Sequence, residues 1–185
     1  MKRRTILVLL ALVVLVLGSS YASAFSGTLW AGKNENAGKF NILSTTSGLI
    51  ITIIPQNGWK ITESHVAVHF RWDNIPQNKK GNPIPGHFTW GQKSAPPTTT
   101  HEYTISFSEI EGWVSPGEYW LVIAIHAVVV KTDSSGCILQ EETAWGGPCD
   151  ESWSPGEPLP SYPVAFWKIG TNRWGYYFEL EVTVL

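Results

Sequence analysis

From Ile61 to Arg71 the side chains alternate in kind: Val66, Val68 and Phe70 fall on one side of an extended chain, and Glu63, His65, Ala67 and His69 on the other. A period of two is the repeat of a strand with one face covered. The same repeat marks Gly38 to Leu43, Leu49 to Ile54, Thr100 to Phe107 and the aromatic, β-branched segment Trp174 to Leu185. No long stretch beyond residue 24 spaces its apolar residues as a helix would. Glu118 to Lys131 is the longest candidate strand and is apolar on both faces, which predicts a place in the middle of a sheet, with Trp120 in the core. Turn-rich segments separate these strands: Ser44 to Gly48, Pro76 to Pro85, Lys93 to Thr100, and a long one from Thr132 to about Pro163. Short strands between such turns predict an all-β fold, a single antiparallel β-sandwich of jelly-roll type with long Pro/Gly-rich loops. No internal repeat and no shift of composition divides residues 25–185, so they read as one domain.

Residues 1–24 are of another kind. Lys2, Arg3 and Arg4 precede an apolar run from Ile6 to Leu17, and Ala22-Ser23-Ala24 has the small-x-small form of a cleavage site. This is the layout of a secretory signal helix, and the run is short for a membrane span. Cleavage after Ala24 removes three of the 13 basic residues and leaves ten against 15 acidic ones, a net charge of about −5. That balance speaks against nucleic-acid partners and against a basic membrane-binding patch. With export expected, Cys137 and Cys149 are expected to form a disulfide that staples a surface loop. Their spacing suits neither a redox CxxC motif nor a tetrahedral zinc site.

Five blocks stand in order along the chain: LWAGKNENAGKF, NGWKITESHVAV, IPQNKKGNPIPGHF, IAIHAVV and EETAWG. Together they resemble a recurrent domain of secreted prokaryotic cell-surface proteins, with blocks AGxxxxAG, GWxITExHLAV, IPQxxKGNPxPGxF, AAHAVV and ETAWG. The resemblance runs from Leu29 to about Gly147 and resumes in the closing Trp-Gly-Tyr-Tyr-Phe strand; the segment Cys137 to Pro163 departs from it. It implies an exported β-sandwich, often attached to other surface modules, and brings no established catalytic activity with it. A looser similarity, in length and layout, links the chain to fibre-forming biofilm-matrix β-sandwiches, in which a terminal strand completes a neighbour's sheet. By that analogy Phe25 to Trp30 is the expected donor.

Residues able to carry chemistry form a few groups. Glu63 and His65 match the TExH block and His126 the AAHA block. If their strands are neighbours, the two histidines stand across from one another, with Glu63 or Glu142 as carboxylate partner. Such a set is open to two readings: a zinc site, or histidines satisfied by acidic neighbours within the core. Ten Trp residues are the second signal, and Trp145, Trp153, Trp90 and Trp72 are candidates for exposed platforms that bind glycans or apolar partners. The loop Asn78 to Pro83 carries Lys79 and Lys80 and could meet an acidic partner, and Asp150, Glu151 and Glu157 could bind Ca²⁺ without a regular motif for it. No GxSxG elbow is present, and no motif requires a cofactor. The expectation is a secreted or cell-surface, non-enzymatic protein, structural or adhesive, that meets surface proteins, matrix proteins or glycans and self-assembles through sheet edges. The alternatives are a carbohydrate-binding module that uses exposed Trp, and a metal-binding protein or metal-dependent enzyme around Glu63, His65 and His126.

Overall fold

The computed structural model describes residues 24–32, 34–114, 117–147, 164–169 and 173–184. Ten strands lie in this part of the chain: β1 (Ala24–Ala31), β2 (Glu35–Ser44), β3 (Gly48–Pro55), β4 (Trp59–His69), β5 (Trp90–Thr98), β6 (His101–Ser106), β7 (Gly117–Thr132), β8 (Ile138–Gly147), β9 (Val164–Ile169) and β10 (Arg173–Val184). The all-β expectation holds, and every ladder is antiparallel. The strands form one continuous sheet in the order β5-β4-β7-β8-β1-β2-β3-β6, with β10 on β7 and β9 on β10. Where two stacked sheets are expected, one sheet curls back on itself into a nearly closed barrel. The expected signal helix lies outside the described residues.

The closure uses side chains. Between β5 and β6, the two ends of the path, Gln92 Nε2 donates to the Glu102 carbonyl at 2.7 Å, and Ser94 Oγ meets His101 Nε2 at 2.7 Å. β5 suits an edge: it contains Pro96 and Pro97, which offer no N–H to a ladder.

β7 is central, as its two apolar faces predict. β4 runs along one edge, while β8 pairs with His126–Thr132 and β10 with Gly117–Ile123 on the other. Its odd-numbered residues Leu121, Ile123, Ile125, Ala127 and Val129 are buried in the core with Leu29, Phe40, Ile51, Ile53 and Ile105. Phe25, Phe40 and Phe178 stack there with centroids 5.0–6.0 Å apart. The even-numbered Val122 and Ala124 are buried too.

Several elements differ from the sequence reading. Phe25 to Trp30 is no free arm: β1 is paired along β2 and, through Thr28–Ala31, along β8. The long segment after Thr132 opens with a hairpin rather than a loop. Asp133 Oδ1 accepts from Ser135 N, Ser135 Oγ and Cys137 N at 2.6–2.9 Å, which turns the chain into β8. Lys93 to Thr100 falls largely within β5. The Ser44–Gly48 turn is found where expected: the Thr45 hydroxyl accepts from Ser47 N and Gly48 N. Cys137 is exposed beside the Asp133 turn; Cys149 lies outside the described residues.

Candidate functional site

Neighbouring strands β4 and β7 set His65 directly opposite His126, and β8 sets Trp145 opposite His126. All three therefore share one face of the sheet, on the side away from Ile125 and Val66. The imidazoles are 6.0 Å apart between centroids, and the Trp145 ring stands edge-on to His126 at 4.9 Å and to Phe88 at 6.3 Å. Phe88 arrives from the segment after β4, where Pro76 to Ile84 is tied by its own bonds: Asn78 Oδ1 accepts from Lys80 N and Asn82 N, and Ile84 N donates to the Pro76 carbonyl. Four of the five sequence blocks thus converge here: the strand of Glu63 and His65, the strand of His126, the strand of Trp145, and the loop that ends in Phe88.

The electrostatics of this face are largely internal. Glu63 Oε1 lies 2.6 Å from His65 Nε2, and Lys93 Nζ lies 3.2 Å from Glu63 Oε2. The hydrogen bond with His65, aided by Lys93, holds the Glu63 carboxyl below its usual range. His126 is only 8% exposed, and its Nδ1 has no hydrogen-bond partner. Burial, with repulsion from His65, pushes its pKa down to about 4. The packing is close: a Cβ on Gly91 would stand 3.0 Å from His65 Nδ1, and one on Gly175 would stand 3.2 Å from the Trp145 ring.

The pairing of β4 with β7 meets the condition on which Glu63, His65 and His126 come together, and the fold takes Glu142 away. Trp145 shares the face of His126, so Glu142, three residues before it on β8, belongs to the opposite face, opposite Val129. Its carboxylate lies instead beside Gly32, 3.4 Å from where a Cβ would stand. Among the described residues no group of three or more His, Cys, Asp or Glu is arranged to hold a metal ion. Asp150, Glu151, Glu157 and Trp153 lie outside those residues.

The Trp assignments divide. Trp145, expected as an exposed platform, is 5% exposed because Phe88, His126 and Gly175 surround it. Trp90 is half-buried against the core. Trp72 is 48% exposed and lies against Tyr177, with centroids 6.5 Å apart and planes 16° off parallel. Trp120 overturns its core assignment: it is 52% exposed, because it lies on the face of β7 opposite to that of Leu121 and Ile123, which are buried in the core. Trp113 caps one end of the fold, stacked on Phe107 at 4.6 Å and in contact with Tyr119 at 4.5 Å.

A second polar cluster, not anticipated from the sequence, lies inside the barrel. Ser64 Oγ is 2.6 Å from His101 Nδ1 and 2.6 Å from the Tyr103 hydroxyl, which in turn donates to the Ser64 carbonyl at 2.9 Å. Ser94 Oγ lies 2.7 Å from His101 Nε2. Both ring nitrogens of His101 thus have a hydroxyl partner, and burial lowers its pKa. The cluster ties β4, β5 and β6 together where the barrel closes. The polar residues of β4 and β6, Ser64, His101 and Tyr103, were its only trace in the sequence.

Comparison with protein families, curated proteins and solved structures returns no match for this chain.

Proposed function

We propose that the chain is an exported, non-enzymatic module of the cell surface or extracellular matrix, which works by presenting its outer face to surface proteins, matrix proteins or glycans. One observation carries the reading: the barrel interior is filled by Leu29, Phe40, Ile51, Ile53, Ile105 and Ile125, so contact with other molecules is left to the outside. The Ser64–His101 contact belongs to the buried seam of the barrel, and Glu63 is already engaged by His65 and Lys93. The leader-like residues 1–24 support export. The disulfide between Cys137 and Cys149 belongs to the same reading.

The test is fractionation of cells expressing the full chain, with N-terminal sequencing of the product. A protein in the medium or on the surface that begins at Phe25 is the expected result. Retention in the cytoplasm with Met1 and the leader intact overturns the export reading. A glycan-binding version of this function is favoured by the outward position of Trp72 and Trp120.

A further inference from the structure

On the outer face of the β7–β10 pair, Trp120 stands directly opposite Glu181, and Val122 opposite Glu179. Glu118, two residues before Trp120 on the same strand, shares its face and stands opposite Thr183. Trp120, Glu118, Glu179, Glu181 and Thr183 are all exposed. Among the described residues none of these three carboxylates has an ion-pair partner, although Glu35, Glu63 and Asp73 elsewhere each have one. A large ring left in water with carboxylates around it calls for a partner that is cationic and also offers a flat apolar face. The ring attracts a cation through its quadrupole, Trp more strongly than any other side chain.

We propose that this face binds a glycan carrying free amino groups, a glucosamine-type polymer, with sugar rings laid on Trp120 and ammonium groups toward Glu118, Glu179 and Glu181. A single exposed ion pair contributes little, because water and salt screen it, so a ligand held here must repeat its charge. Glu179 and Glu181, spaced at about 6.8 Å along β10, offer a row to such a repeat. An amino sugar joins its charge rigidly to its ring. A lysine side chain must instead freeze a flexible stem and lose its rotamer entropy, so a rigid amine gains more from the same carboxylates. The proposal deepens the surface-binding reading by naming a site and a ligand class. It is measured in vitro, so its failure leaves the test of export untouched.

The experiment titrates the purified protein, by tryptophan fluorescence and calorimetry, with glucosamine oligomers, with N-acetylated oligomers of equal length, and with oligolysine. Binding to the free-amine oligomers that weakens with salt is expected. Trp120→Ala should weaken it about tenfold or more, and Glu179→Gln with Glu181→Gln should weaken it and flatten the salt dependence. Leu139→Ala, an exposed apolar change on β8, should leave it unaltered. All these side chains are exposed, so the variants should fold, which circular dichroism checks. No binding of the amino oligomers overturns the proposal, and so does Trp120→Ala binding as the parent does. Equal binding of the N-acetylated oligomers would mean neutral stacking, and tighter binding of oligolysine a protein partner; either result also overturns it.

Discussion

Ser64 on β4 and His101 on β6 stand 2.6 Å apart although their strands share no ladder. With Ser94 and Tyr103 they bridge the gap between the two ends of the sheet, where main-chain bonds stop. The seam is thus held by a buried, fully satisfied network, and such networks lose most when one member is removed.

Ser64→Ala should therefore destabilise the protein by about 1–3 kcal/mol, the penalty for leaving a buried polar atom without its partner. His101 Nδ1 is that atom. Urea unfolding measures it; a midpoint equal to that of the parent would mean that the seam does not depend on this contact.

Acid should destabilise the fold through His126. Its folded pKa, about 4, lies below the ordinary histidine value of 6.5, so the unfolded chain binds the proton first. The His126 contribution is then full above pH 6.5, falls between 6.5 and about 4, and is constant below, where protonation of carboxyls held low, such as Glu63, lowers stability further. For a drop of this size the loss is about 3 kcal/mol. Burial lowers His69 and His101 as well, and both act in the same direction. Unfolding at a series of pH values should show this slope, and His126→Phe should reduce it. A parent protein equally stable at pH 7 and pH 4.5 contradicts the assignment.

The two tryptophans Trp145 and Trp72 should behave differently on truncation. Trp145→Ala removes a ring packed between Phe88, His126 and Gly175 and should cost about 3–5 kcal/mol. Trp72→Ala loses mainly the stack on Tyr177 and should cost about 1 kcal/mol. Thermal melts of both variants give the comparison, and equal losses would refute the burial difference.

If Cys137 and Cys149 are joined after export, the exported protein should show no reactive thiol until reduced. Reduction should then lower stability by about 3 kcal/mol, as expected for a loop of this length. Thiol titration of the denatured protein before and after reduction decides it; two free thiols before reduction rule the bridge out.

How far the chain could be read depended on how each strand is buried. β2, β3, β4, β6, β7 and β10 have clear alternation or apolar runs because hydrophobic core lies against at least one face, and all six were legible. β5 was hidden by Gly91, Pro96 and Pro97, which suit a sheet edge and also suit a turn. The start of β8 was hidden by Gln140, Glu141 and Thr143, whose side chains reach solvent. β1 was visible as an apolar segment, but its use was not: an arm offered to a neighbour and a strand paired within its own sheet have the same local pattern.

By itself the sequence determined the strand character of the chain, the central place of β7, and the shared face of Glu63 and His65 on one strand; that His126 stands across from them was decided by the pairing of β4 with β7. The first three properties follow from local periodicity and from apolar content. Only the tertiary structure decided that one sheet nearly closes where two were expected, that Trp145 is covered while Trp120 faces water, and that Glu142 points away from the histidines. Period two states which side chains share a face. What later covers that face depends on contacts between residues far apart in the chain, which no local pattern encodes.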